Sequence, residues 1–243
     1  IRRLLGRHKG VLPPMAVVRI WRELVGAVSL LQTGLKVAVF VPEGRYDLWD
    51  MARDYFGSCL PMQKLPGAIP AISAVRDGKA TFAVVPWPES EEDQPWWSCL
   101  RQGMSDDMNI IIRLPHGEDP EDSNPDRRAL VVSRAGFDDS GDDHSFLLID
   151  CGVGVSRARM VDVAKKIGFN PLFISSTRPV KAGHYQHLME VDGYVGAGDT
   201  RLAMFAAGLD DEHAKVTSVG GYPVPVKYAK TVKTQVPDIK AAS

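Results

Sequence analysis

Residues 35–44 read Leu35-Lys36-Val37-Ala38-Val39-Phe40-Val41-Pro42-Glu43-Gly44, a β-branched apolar run that stops on a Pro-Glu-Gly turn. Such a run, too short for a helix and closed by turn residues, predicts a buried strand delivered into a loop. Immediately upstream, Val17, Ile20, Trp21, Leu24, Val25, Val28 and Leu31 recur at spacings of three and four behind Pro13-Pro14. That spacing predicts a helix over 13–32 with one apolar stripe, opened by prolines whose missing N–H groups a first turn does not need. Arg19, Arg22 and Glu23 fall off the stripe. The stripe must bury against something, and residues 1–12 are too few to cover it. The opening Ile1-Arg2-Arg3-Leu4-Leu5 reads as the middle of a helix rather than a signal peptide, so the expectation is that companion helices precede it.

Downstream of the strand, 48–56 and 68–76 read as helices stopped by Gly57 and Asp77-Gly78. The runs 81–86, 109–114 and 129–133 read as further strands. Strands alternating with helices predict an α/β lobe, with a mainly parallel sheet covered on both faces. Ligands bind such sheets beyond the carboxyl ends of the strands, which points to the loops 42–47 and 86–92. The acidic stretches 116–126 and 136–143 read as solvated linkers without the ligand spacing of a calcium loop. Beyond 143 the order is strand (146–149), helix after an N-cap at Ser156, strand (171–175), strand (186–191), helix capped by Asp199, strand (215–219). This βαββαβ order is the ferredoxin-like pattern. The segments are therefore 1–34 helical, 35–134 lobe, 135–143 linker, 144–225 ferredoxin-like, and 226–243 a polar tail.

The 243 residues carry 29 Lys+Arg against 30 Asp+Glu, a net charge of -1 that gives no reason to expect nucleic acid or an anionic membrane as partner. No stretch approaches the about 18 apolar residues of a spanning helix. Cys59, Cys99 and Cys151 are odd in number and not paired as CxxC, which reads as reduced thiols of a cytoplasmic protein without a zinc site. The six histidines lack metal spacing and are assigned no chemistry.

The run from Arg2 to Gly44 resembles the junction of bacterial bifunctional chorismate mutase–prephenate dehydratases, where the last mutase helices lead into the first dehydratase strand and its Gly-Pro-Glu-Gly loop. Thr177-Arg178-Pro179 is similar to the end of the Glu-Ser-Arg-Pro motif of that family's regulatory ACT domain, and Val219-Gly220-Gly221-Tyr222-Pro223 to its Leu-Gly-Ser-Tyr-Pro. The resemblance implies three pieces: the remnant of a mutase helical bundle, one periplasmic-binding-protein-like α/β lobe, and a C-terminal ACT domain. It places Gln32 where the mutase offers a glutamine to the ether oxygen of chorismate, and makes Glu43, Gly44, Arg45, Glu89 and Ser90 candidates for substrate binding. Ser156, Arg157, Thr177, Arg178 and Pro179 fall on the regulatory site. Two departures stand out. Arg127-Arg128-Ala129 occupies the place of the dehydratase's catalytic Thr-Arg-Phe, so the threonine is absent, and only an acidic loop stands between Leu114 and Arg127 where a second lobe is expected.

Conversion of chorismate to prephenate is an intramolecular rearrangement, so it calls for fixed cations and a neutral donor, with neither metal nor cofactor. Gln32 suits the donor, and Arg2, Arg3 and Arg7 are the nearest cations in sequence; a polar helix end and a solvated basic face are the plainer readings. Glu43 and Glu89 are carboxylates at strand ends, suited to protonating a leaving hydroxyl or merely to loop solubility. Three functions remain open on these residues: a chorismate mutase whose dehydratase activity is lost, a non-catalytic module sensing phenylalanine, and a working prephenate dehydratase. The resemblance also implies a homodimer.

Overall fold

The computed structural model describes residues 1–44, 46–92, 95–101, 108–118, 127–177 and 184–228. A short helix α1 (Arg2–Arg7) precedes α2 (Pro14–Thr33), which opens on its prolines and closes on Gly34 in the left-handed region, φ 62°. The side of α2 that meets the rest of the chain is not its apolar stripe. Its charged side meets α3 (Asp47–Phe56): the Arg22 guanidinium lies 3.8 Å from the centre of the Tyr55 ring, Arg19 reaches Asp54 at 3.3 Å, and the Glu23 carboxylate accepts from the Ser58 N–H at 2.9 Å. Gly26 makes this approach feasible, since a Cβ there would stand 2.3 Å from the Phe56 carbonyl oxygen. The apolar stripe faces outward, with Ile20 63% and Leu31 87% exposed and Trp21, Leu24, Val25 and Val28 also open. Polar groups with partners on α3 have taken the inner face, so burial of the stripe is left undone.

Three strands, β1 (Val37–Phe40), β2 (Met62–Leu65) and β3 (Phe82–Pro86), are parallel, with α4 (Ala68–Arg76) as crossover before β3. The two-residue β4 (Glu91–Glu92) and a 3-10 turn (Trp96–Arg101) follow. Trp96 and Trp97 are buried in the main core. Here the expected parallel pattern ends: β5 (Asn109–Leu114) and β7 (Ala129–Ser133) pair antiparallel to each other, and β7 antiparallel to β3. A parallel return needs a crossover of a dozen or more residues, usually a helix; between β5 and β7 the structure describes only the two-residue β6 (Gly117–Glu118).

The remaining elements are β8 (Asp143–Gly152), α5 (Arg157–Lys166), β9 (Pro171–Thr177), β10 (His184–Asp192), α6 (Arg201–Gly208), β11 (Lys215–Pro223) and β12 (Val226–Lys227), the last pairing with β6. They follow the βαββαβ order read from the sequence and lie side by side as β11-β8-β10-β9, each neighbour antiparallel. Ser156 caps α5, its Oγ accepting from the Arg159 N–H, and Asp199 accepts from the first amide of α6, that of Arg201. The stretch before β8 is tied down rather than solvated throughout: Asp143 is buried and accepts from the Ser140 N–H, while the Arg2 guanidinium donates to Asp142 and to the Val224 carbonyl.

The two sets of strands make one sheet of ten, β2-β1-β3-β7-β5-β11-β8-β10-β9-β4. They are joined where β5 meets β11 at the pair Ile110 and Gly220. One apolar cluster crosses this joint, running from Ile72 and Trp97 through Ile110 and Leu130 to Phe146 and Tyr222. No described helix is long and apolar enough to cross a membrane.

Candidate functional site

The residues singled out in the sequence part company in the structure. Gln32 is exposed in the last turn of α2. The guanidinium of Arg2 is spent on Asp142 and Val224 instead of standing free as a cation. Glu43 and Gly44 form the exposed turn at the end of β1, Gly44 at φ 74°. Arg45, Arg178 and Pro179 lie outside the described residues. Glu89 is exposed after β3, and Ser90 is carried across to the far edge of the sheet.

At that edge several candidates do converge. β4 pairs parallel with the end of β9, at Ser176 and Thr177. The Ser90 carbonyl accepts from the Ser176 N–H at 3.1 Å and from Arg157 Nη2 at 3.2 Å. Arg157, the first residue of α5, also donates through Nε to Ser176 Oγ at 2.9 Å, and Ser176 Oγ lies 2.7 Å from His187 Nδ1. Thr177 Oγ1 accepts the Gln186 N–H. Ser176 Oγ thus bridges the Arg157 guanidinium and His187 Nδ1. Burial, and then the Arg157 charge, push the His187 imidazole down to about 4, which keeps it neutral. The ring is only 5% exposed, and its Nε2 has no partner among the described residues. A guanidinium and a helix start in one place suit a carboxylate. Ser176 is nearly covered and is held as a bridge rather than presented as a nucleophile.

The sequence reading gave no histidine chemistry; the structure buries His187 and pairs it with Ser176. The signal was the alternation of β10: His187 shares its face with Met189 and Val191, both buried in the core between this sheet and its helices. An imidazole at an inward register position needs a polar partner.

A second cluster spans the joint between the two strand sets. Trp87, directly after β3, packs edge-on against Phe146 at 5.8 Å and Tyr222 at 6.0 Å between ring centres. The Arg128 guanidinium lies 4.4 Å from the centre of the same indole, and that of Arg113 lies 5.9 Å away. The Tyr222 hydroxyl donates to the Glu190 carboxylate, with His144 Nδ1 at 3.0 Å from that carboxylate and 3.1 Å from the hydroxyl. Burial, reinforced by Glu190, raises the Tyr222 pKa, so it remains a donor. Among the described residues no group of three His, Cys, Asp or Glu side chains could hold a metal ion.

Neither a protein-family model nor a curated protein matches the sequence. Solved structures do match in fold. The prephenate dehydratase of Staphylococcus aureus gives a TM-score of 0.55 at 16% identity, covering 77% of this chain and 100% of that one. The prephenate dehydratase of Arthrobacter aurescens, solved in complex with L-Phe, gives 0.54 at 17%, covering 82% and 94%. A chain described as a novel type of quorum-quenching acylase gives 0.51 at 18%, covering 77% and 94%. The fold is therefore the mixed α/β fold of prephenate dehydratases. Because one fold here carries two described activities, the choice between them rests on side chains.

Proposed function

We propose that this chain belongs to aromatic amino-acid biosynthesis and acts there as an amino-acid-responsive protein, with its βαββαβ unit serving as an ACT-type regulatory domain. Phenylalanine or a similar amino acid is taken at the start of α5 by Arg157 and His187, beside Ser156 and Thr177. The observation that carries this reading is the Arg157–Ser176–His187 cluster at the start of α5, in which His187 Nε2 has no partner among the described residues. The L-Phe bound to the Arthrobacter aurescens protein of the same fold supports the choice of ligand. The dehydratase step is lost in this reading, because Arg127 stands where the reaction needs a threonine. A cytoplasmic homodimer working without metal or cofactor completes it.

Thermal denaturation with L-phenylalanine tests the proposal. A ligand present at a hundred times its Kd stabilises the folded state by about 2.7 kcal/mol, an upward Tm shift of several degrees. Arg157→Ala is expected to abolish most of that shift while leaving the ligand-free Tm within a few degrees. No shift with any aromatic amino acid would overturn the reading, as would phenylpyruvate made from prephenate by this chain.

One observation favours a second reading, chorismate mutase: the open stripe of Ile20, Trp21, Leu24 and Leu31 suits packing against further helices of a bundle. In protein carrying such helices, chorismate would be turned over and Gln32→Ala would lower kcat by about 10²-fold, the usual loss of one transition-state donor. Unchanged turnover in that variant would remove Gln32 from the site.

A further inference from the structure

The segment that touches the α5 site from outside the βαββαβ unit is pinned at both ends. Before it, the Trp87 ring meets those of Phe146, Phe173 and Tyr222, and after it Trp96 is buried in the core. Between these pins β4 lies parallel to β9, with Glu91 opposite Ser176 and Glu92 opposite Thr177. A cover for the sheet edge would gain by running along it, yet β4 meets only the last two of the seven residues of β9. Those two stand beside Arg157. The Ser90 carbonyl takes two donors there at once, the Ser176 N–H at 3.1 Å and Arg157 Nη2 at 3.2 Å. A neutral oxygen thus occupies the guanidinium that an amino-acid carboxylate would need. Ser90 is itself exposed, and a ladder of two residues is weak, so β4 can lift while both tryptophans stay in place.

We propose that residues 88–92 are an autoinhibitory strap, in which the Ser90 carbonyl is a tethered competitor for Arg157 and an amino-acid carboxylate displaces it by lifting β4 from β9. The inference rests on the amino-acid reading of the α5 site and adds what that site must give up to be filled. The exchange favours the ligand, because a hydrogen bond charged on both sides is stronger than one from a guanidinium to a neutral carbonyl. Part of the binding energy goes into opening the strap, so the closed form lowers the apparent affinity.

Hydrogen exchange of the whole chain with and without L-phenylalanine is the test, joined to calorimetric titration of the same ligand. Binding is expected to speed amide exchange over 89–92 about tenfold in the wild type. Glu92→Pro, which takes an N–H from the ladder, should bind L-phenylalanine about fivefold more tightly, the weight of one backbone hydrogen bond in the closed strap. Glu92→Ala, which keeps that N–H, should bind as the wild type does. Exchange over 89–92 that slows or stays level when the ligand binds overturns the strap. So does a Glu92→Pro chain that binds no more tightly than Glu92→Ala. In both cases the ligand has bound, and the amino-acid reading stands. No binding to any of the three chains overturns that reading, and the strap falls with it.

Discussion

A Gly220→Ala variant is expected to lose about 4 kcal/mol of unfolding free energy. Gly220 has φ 88°, where a Cβ costs about 1–2 kcal/mol in an L-residue. The added carbon would also stand 2.1 Å from the Ile110 carbonyl oxygen and 3.0 Å from its nitrogen. Both are backbone atoms and cannot rotate aside, so the strands must separate, at a further cost of about 1–3 kcal/mol. The position matters beyond its own energy, because Gly220 and Ile110 are the paired residues at which β11 meets β5. It also lies at an irregularity in the pairing of β11 with β8, between Ser218 and Gly221. Pushing the strands apart here parts the two halves of the sheet and the aromatic cluster across them. Urea unfolding measures the effect against Gly154→Ala, where a Cβ meets nothing within 4 Å and the change should stay within about 0.5 kcal/mol. Equal midpoints for the two variants would show that the halves are not joined through this pair.

The second large effect is acid sensitivity carried by buried neutral histidines. His187 is held at about 4 against an ordinary 6.5, its ring buried beside Arg157. The unfolded chain therefore binds this proton first as pH falls below 6.5, while the folded chain resists it. Stability from this residue is complete above pH 6.5, declines as pH falls, and is lost by about pH 4. Two and a half pH units at about 1.4 kcal/mol each give about 3 kcal/mol. His116, against Tyr55 at 5.4 Å and near Arg22, is pushed down to about 3, first by burial and then by the Arg22 charge. It extends the same decline further into acid. Urea midpoints from pH 7 to 4 check the sign, and His187→Gln should flatten the slope by about one proton. A wild-type stability that rises or stays level over that interval would refute the account.

Local signals were legible wherever local physics decides. The helix 68–76 and the strand 129–133 have the bounds read from periodicity, because each is a short apolar element closed by its own turn residues. Ser156 was found as a cap because its hydroxyl acts three residues away. Strand direction was not legible for β5 and β7, since their apolar runs look alike whichever way they point. Which side of α2 meets its neighbours in this chain was not legible for a related reason. Periodicity finds a stripe but does not say that Arg22 and Glu23 have partners on the other side. The candidate residues divide along the same line: Ser156 and Arg157 were reached through the resemblance, whereas the contacts of His187, Trp87 and Arg128 join distant strands.

The amino-acid order by itself determined the longer apolar strands and helices and the βαββαβ succession of the C-terminal part, because spacing, capping and turn chemistry operate over a few residues; β2, whose Met62-Gln63-Lys64-Leu65 carries no apolar run, was not legible. Only the tertiary structure decided that ten strands form one sheet, that Arg157 meets Ser176 and His187, and that Trp87 lies between Arg128 and Tyr222. Those contacts depend on strands far apart in the chain approaching at positions such as Gly220, where the absence of one side chain is the whole condition.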